Sequence, residues 1–401
     1  MRTDGPALLD SRSPFDSLKD QPADGLLALI AAFRDDQRAD KIDLGIGVYK
    51  DETGQTPVMQ AVKQAEAHLL AHQTSKSYLG AAGDVAYAEA LIPVVFGAEL
   101  SGKGQIRGLQ TPGGTAALRM AAELIRLAAP KAKLWVGTPT WFNHLPIFRA
   151  AGLEVVEYSY FDKATQALCF EAMRAALNSA TPGDVVMLHA GCHNPTGADL
   201  SPAQWAEITQ IMLERELIPL IDMAYQGLGH GLEADAKPMR DMLKILPEAL
   251  IAYSCNKNFG LYRERVGSIF VQSTDAARLE RIRSNLLIFS RTNWSMPPDH
   301  GAAIVRIILT DPALKALWQD ELSGMQTRIT GLREQLAAAH PRLASMASQN
   351  GLFSLLPLTP EDVRALRLEH GVYMEGSGRI NIAGAQSHQI DRLGQALTHY
   401  L

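Results

Sequence analysis

Between about residues 100 and 270, short apolar, β-rich runs alternate with segments of helical periodicity. The runs are LWVG (134–137), LEVVEYSY (153–160), VVMLH (185–189), LIPLID (217–222), LIAYS (250–254) and VGSIFV (266–271). Several are apolar throughout, as strands covered on both faces must be. Helix starts are legible between them: Ser201-Pro202-Ala203-Gln204 is a capping box with proline at the first helical position, ahead of QWAEITQIMLERE. Strand–helix alternation predicts an α/β fold on a mostly parallel sheet. Beyond residue 300 the pattern turns helical, with two helices across 300–340, the second long. QNGLFSLLPL then reads as a strand, TPEDVRALRLEHG as a helix from Thr359 to a stop at Gly371, and GRINIAG as another strand. This is a smaller α+β unit, joined by the N-terminal segment. The expected division is an arm and part of the small domain over 1–55, a large ligand-binding domain over 56–315, and the rest of the small domain over 316–401. Within the first part, the polar, turn-rich residues 1–24 read as an arm or extended segment.

Length and composition agree with this picture. The chain has 401 residues, 47% hydrophobic and 20% charged, enough for a globular protein with two domains. A net charge of −5 with no long basic run argues against nucleic acid or an anionic membrane as partner. The first twenty residues have no apolar core of the secretory kind, and no apolar stretch approaches the length of a membrane span. Cys169, Cys192 and Cys255 are odd in number, widely spaced and outside any CxxC, which suits a reduced cytoplasm better than disulfides or zinc.

In parallel α/β sheets ligands collect where strands end, so the residues after each apolar run carry the candidate chemistry. QTPGGTAALRM (110–120) is a glycine turn entering a helix, where free N–H groups suit an anion. Trp141 follows one run, and either packs in the core or stacks on a flat ring. Asn194-Pro195-Thr196-Gly197 is a turn by its chemistry. Asp222 ends a buried run and needs a cation or donors to stay ionised, with Tyr225 close by. Lys257 follows LIAYS, with Ser254 before it and Arg265 after it. Each residue alone is as well read as a packed or solvated strand-end group. Together they match one ligand. A phosphate wants the glycine turn, Ser254 and Arg265; an aromatic ring wants Trp141; a ring nitrogen wants Asp222; a ring oxygen wants Asn194 and Tyr225; an aldehyde wants Lys257. Pyridoxal phosphate has all of these groups.

SCNKNFGLYRERVG, HNPTG, IDMAYQG, QTPGGT and SGRINIAG together resemble the aspartate and aromatic amino-acid aminotransferases of the class I, fold type I group. The likeness runs from KIDLGIGVYKDETG (41–54) to the C-terminus. It implies a large domain on a mostly parallel seven-stranded sheet flanked by helices, a smaller α+β domain, and a homodimer with shared sites. It further implies that Lys257 binds the aldehyde of pyridoxal 5′-phosphate and later moves a proton, while Asp222, backed by His144, pairs with the ring nitrogen. Asn194 and Tyr225 would bind the ring oxygen, Trp141 would stack on the ring, and Gly114, Thr115, Ser254 and Arg265 would hold the phosphate. Tyr78 would reach the phosphate of the neighbouring subunit. Arg379, with Asn194 helping, would grip the substrate α-carboxylate, Gly47 would make a main-chain contact near the substrate, and Arg291 would cross the interface to a side-chain carboxylate. The implied peptides at Thr138-Pro139 and Asn194-Pro195 are cis.

The implied reaction moves an amino group in two halves, from an aromatic amino acid or aspartate to 2-oxoglutarate, with ping-pong kinetics. A strict aspartate aminotransferase is the alternative. Ser77 and Met296 stand where many aspartate-preferring relatives have asparagine, which favours dual specificity; Val48, Lys50, Thr56 and Thr115 follow the aspartate-preferring pattern. Asn256, beside the lysine, stands where relatives often carry serine, threonine or alanine. A nicotinamide-dependent dehydrogenase is disfavoured because LGIGVYK has only GxG. A β-lyase or decarboxylase on the same fold is disfavoured by the two arginines suited to two carboxylates. A non-catalytic regulator is disfavoured by the intact lysine.

Overall fold

The computed structural model describes residues 13–21 and 25–401. Of the expected N-terminal arm, residues 1–12 and 22–24 lie outside the described residues, and Pro14–Ser17 form a single 3-10 turn. The main sheet has seven strands: β1 (Ile106–Pro112), β2 (Lys133–Thr138), β3 (Glu154–Ser159), β4 (Val185–His189), β5 (Ile218–Met223), β6 (Glu248–Ser254) and β7 (Val266–Ser273). Their order across the sheet is β1-β7-β6-β5-β4-β2-β3. All neighbours are parallel except β7, which runs antiparallel to both β1 and β6.

All six apolar runs became strands, and β1 is the one that periodicity misses. Its sequence, IRGLQTP, carries Arg107, Gly108, Gln110 and Thr111 among few apolar residues. Tertiary partners make it a strand. Gln110 is fully buried, donates from Nε2 to the Pro298 carbonyl at 2.7 Å, and accepts from the Asp84 N–H at 2.8 Å. Thr111 donates to the Gly113 carbonyl at 3.0 Å.

Alternation along the strands feeds two apolar layers. On β6, Leu250 and Ala252 enter one layer while Ile251 and Tyr253 enter the other; on β7, Ile269 and Val271 oppose Val266 and Phe270. Helices Gly113–Ala128 and Ala276–Asn293 cover the first face; Val85–Ser101, Pro202–Glu214 and His300–Thr310 cover the second. The helix Pro202–Glu214 starts on the expected capping box at Ser201 and Gln204.

A third apolar cluster joins Ile42 and Leu44 to Leu332, Leu366, Ile380 and Leu393. Ile42–Asp43 pairs in parallel with Val372–Tyr373, which brings the N-terminal segment onto the C-terminal elements. The helix Pro360–His370 has a capping box at Thr359 and stops on Gly371 at φ 65°. Strands β8 (Phe353–Leu355) and β9 (Arg379–Asn381) pair antiparallel, with Leu355 opposite Arg379. Both expected cis peptides, Thr138-Pro139 and Asn194-Pro195, are present.

The carboxyl ends of β1, β2, β4, β5 and β6 meet at one edge of the main sheet. Because β7 is reversed, its first residue, Val266, pairs with Pro112 at that same edge.

Candidate active site

A cavity of about 140 Å³ opens at this edge, lined among others by Gly114, Thr115, Trp141, Asn194, Asp222, Tyr225, Ser254, Asn256, Lys257 and Arg265. Its floor is the start of the helix Gly113–Ala128, which follows β1 directly and has no side-chain cap. The first-turn N–H groups are therefore free to meet an anion. Gly113 has φ +78°, and a Cβ there would lie 2.7 Å from Arg265 Nη2; a Cβ on Gly114 would meet that of Ser254 at 3.2 Å. The glycines let a helix terminus, a hydroxyl and a guanidinium converge. Arg265 itself has φ 56° and donates from Nη1 to the Tyr262 carbonyl at 3.3 Å. Among the described residues no carboxylate pairs with it, and burial holds its pKa below the usual arginine value. A half-buried cation beside an uncapped helix start is built for an anionic group.

Asn256 belongs to the same corner. Its Oδ1 accepts from the Val266 N–H, and its own N–H donates to Ser254 Oγ, both at 3.3 Å. The residue beside the lysine thus ties the start of β7 to the loop, and its amide lines the cavity.

Asp222, the penultimate residue of β5, stands on the opposite wall. Its Oδ2 is 3.0 Å from His144 Nε2; His144 Nδ1 is 2.8 Å from Thr140 Oγ1, which is 3.1 Å from His189 Nε2. Burial opposes ionisation of Asp222. The His144 bond and the charges of His144, His189 and Lys257 outweigh it, so the carboxyl sits below its usual range. His189 is pushed down to about 3, by burial first and then by His144. Trp141 follows β2 and packs edge-on against His144 at 5.2 Å.

Lys257 stands between the two walls. Its Nζ lies 5.1 Å from the centre of the Tyr225 ring. Burial lowers its pKa to about 8; Arg265 pushes the same way and Asp222 opposes. At that value a useful fraction of the amine is neutral near physiological pH, as a nucleophile or base requires. The Tyr225 hydroxyl accepts from Asn194 Nδ2 at 3.3 Å, and burial, with Asp222, raises its pKa. Asn194 Oδ1 is buried with no partner.

Asn194 also lines a larger neighbouring cleft of about 960 Å³ that contains Arg379. Arg379 lies on β9 with its guanidinium 4.7 Å over the Phe353 ring. Its Nε is buried without a partner, and Nη2 reaches the Gly45 carbonyl at 3.4 Å. Gly47 presses on the same ring: a Cβ there would lie 2.6 Å from Phe353 Cζ.

Two expected site residues stay outside. Tyr78 is 91% exposed, and the exposed Arg291 donates to Ser295 Oγ of its own chain at 2.8 Å. Met296 Sδ accepts from the Leu79 N–H and, with Ser77, lines a separate depression. Sequence reasoning named the glycine turn that contains Gly113 but missed Thr140, His189 and Phe353 as parts of the site. His189 carried a signal, since it closes the VVMLH run, and Thr140 stands one residue before Trp141 and bonds His144 four residues on; Phe353 becomes visible only through contacts distant in sequence.

Residues 39–397 match the family Aminotransferase class I and II, so the chain belongs to it. It is 50% identical over 388 residues to a tyrosine aminotransferase of Rhizobium meliloti, covering 96% of this chain and 99% of the relative. It is 42% identical to the aspartate aminotransferase of Escherichia coli, covering 96% and 100%. Among solved structures, an aromatic amino acid aminotransferase with 3-indolebutyric acid is 45% identical, with a TM-score of 0.92 over 96% of this chain and 99% of that one. One from Burkholderia pseudomallei, covalently bound to pyridoxal phosphate, is 38% identical, with a TM-score of 0.93 over 97% and 99%. The fold is thus that of the fold type I aminotransferases.

Proposed function

We propose that this chain is an aminotransferase that uses pyridoxal 5′-phosphate to move the amino group of an aromatic amino acid or aspartate to 2-oxoglutarate. The observation that carries the reading is one cavity in which a lysine of lowered pKa lies between a buried ionised carboxylate and a guanidinium that has no acidic partner among the described residues. The residues fit the cofactor. The helix start at Gly113–Thr115, Ser254 and Arg265 suit its phosphate, and the Asn256 amide borders the same corner. Turning the Asn194 amide over would let Oδ1 accept from Tyr225 and aim Nδ2 into the cavity, the donor a ring oxygen needs.

When bound, pyridoxal phosphate supplies a ring that draws electrons from the substrate's Cα. Asp222, supported by His144, would hold a proton on the ring nitrogen, and Trp141 would stack on the ring. Lys257 Nζ would hold the cofactor's aldehyde carbon and, once displaced by the substrate amine, would move a proton between the substrate Cα and that carbon. Arg379 would pair with the α-carboxylate, assisted by Asn194, with the Gly47 backbone near the substrate.

The exposed Tyr78 and Arg291 are read as contributions to the site of a second copy in a homodimer, Tyr78 toward the phosphate and Arg291 toward a side-chain carboxylate. Ser77 and Met296 remove fixed amides from that neighbourhood, which supports acceptance of aromatic side chains beside dicarboxylates. No helix among the described residues is long and apolar enough to cross a membrane. We assign the enzyme to the cytoplasm, an environment that suits its three free thiols.

The test is spectroscopic. With cofactor bound, tyrosine or aspartate converts the lysine-bound cofactor band to that of the amino form, and 2-oxoglutarate restores it. Absence of the interconversion overturns the reading; turnover of aspartate with none of phenylalanine or tyrosine reduces it to a strict aspartate aminotransferase.

A further inference from the structure

Arg333 lies on the long helix Pro312–Ala339 and is only 2% exposed. Among the described residues no carboxylate pairs with it. Its donors all go to oxygens of one short segment. Nε reaches the Gly351 carbonyl at 3.1 Å. Nη1 reaches Ser354 Oγ at 2.9 Å and the Met346 carbonyl at 3.5 Å. Nη2 reaches the carbonyls of Asn350, Gly351 and Phe353 at 3.0, 2.7 and 2.6 Å. Burial lowers its pKa to about 10, so it remains charged at neutral pH. Asp199 lies near enough for its charge to favour the guanidinium, but Arg333 is bonded by carbonyls and a hydroxyl and by no carboxylate oxygen among the described residues; burying a cation this way is expensive, and an apolar side chain could fill the space more cheaply. The arrangement calls for a reason beyond packing.

The segment that Arg333 gathers touches the site on two sides. On one side it meets the loop that carries Asn194. The Asn350 N–H donates to the Gly197 carbonyl at 2.8 Å, and its Nδ2 to Asp199 at 3.1 Å. Asp199 in turn accepts from the N–H groups of Cys192 and His193, both at 2.9 Å. Gly197, at φ +70°, lies so close that a Cβ would stand 2.5 Å from the Phe353 carbonyl oxygen and 3.1 Å from Arg333 Nη2. On the other side the Phe353 ring supports the Arg379 guanidinium and packs edge-on to Tyr225 at 6.1 Å. Arg379 has few other restraints, since Nε is unpartnered and Nη2 makes one long bond.

We propose that Arg333 is a positioning residue for the substrate carboxylate: it fixes the backbone of Phe353, and Phe353 fixes Arg379 in register with Asn194. The inference rests on the aminotransferase reading above. The group served is the carboxylate shared by every amino donor and every 2-oxo acid, so loss of Arg333 weakens all substrates by one common factor.

Arg333→Met, Arg333→Lys and Phe353→Leu, each saturated with cofactor, test this through KM and kcat for aspartate, tyrosine and 2-oxoglutarate. In Arg333→Met, KM rises by about 10- to 100-fold for all three, as expected from a displaced binding group. Its kcat stays within about threefold, the signature of lost uniform binding. Cofactor affinity and the absorption band do not change. Arg333→Lys recovers part of the loss, because an ammonium keeps the charge but has only three donors. Phe353→Leu leaves the Arg333 bonds in place and reproduces the rise in KM, so it decides the matter should Arg333→Met fail to fold. Unchanged KM in folded Arg333→Met or in Phe353→Leu overturns the proposal. So does a rise confined to one substrate, or an equal fall in kcat and cofactor affinity. A wild-type enzyme without the spectral half-reaction refutes the underlying reading instead.

Discussion

Lys257 should cost the protein stability whenever the cofactor is absent, and Lys257→Met should recover it. The amine titrates near about 8 in the fold against 10.5 for an ordinary lysine. That gap corresponds to roughly 3 kcal/mol at about 1.36 kcal/mol per unit. Lys257 keeps some contact with water, which argues for a working value of about 2 kcal/mol. The sign follows from proton counting. Between pH 8 and 10.5 the unfolded chain binds more protons at this lysine than the folded one, so stability contributed by this group rises with pH across that window. Below pH 8 the penalty for holding a charged amine in the cavity is fully present. Methionine is unbranched and uncharged, one atom shorter than lysine, and leaves the place of the ammonium over the Tyr225 ring without a charge. Removing the ammonium also takes a favourable charge away from Asp222, a small loss on the other side. The assay is urea unfolding of cofactor-free wild type and variant at matched protein concentration, at pH 7 and at steps up to pH 10.5. The variant should be about 2 kcal/mol more stable at pH 7, and the difference should shrink toward zero as pH climbs. A variant less stable than wild type at pH 7, or a gain independent of pH, would refute the reasoning.

Two further outcomes follow from the same geometry. Asp222→Asn keeps the shape of the wall and removes its charge; kcat should fall at least a hundredfold, the scale of about 3 kcal/mol for breaking a buried charge pair, while absorbance titration shows the cofactor still bound. An activity loss under tenfold would remove Asp222 from the proposed role. Gly113→Ala forces a side chain into a left-handed backbone at about 1–2 kcal/mol and pushes Arg265 Nη2 aside. Cofactor titration should therefore show at least about tenfold weaker binding, and unchanged affinity would mean that this helix start does not hold the phosphate.

Much of the large sheet was legible because its strands are covered on both faces and so carry unbroken apolar runs. β1 was not, because Gln110 and Thr111 are buried by hydrogen bonds to Pro298, Asp84 and Gly113, and two of those partners lie far away in sequence or outside any periodic pattern. The cavity-lining residues were legible for a related reason. They follow apolar runs, and Ser254, Lys257 and Arg265 fall within one stretch. The Arg333–Phe353–Arg379 stack was hidden, since arginines read as surface charge and LFSLL reads only as a strand. Asn256 had no account until its amide was seen accepting from the Val266 N–H. Tyr78 and Arg291 were named through family likeness alone, and within a single chain both are exposed and neither is among the residues that line the cavity.

The reversed direction of β7 has a bearing on redesign. Parallel neighbours must be joined by a crossover that carries the chain back across the sheet. Between β6 and β7 no crossover is needed: the chain leaves at Ser254 and re-enters at Val266 on the same edge. Residues 255–265 therefore form a cassette bounded by two paired strands, and that cassette contains three residues that line the cavity: the lysine, its amide neighbour and Arg265. Exchanging its residues around a retained Lys257 would change the surroundings of the amine without rebuilding a crossover.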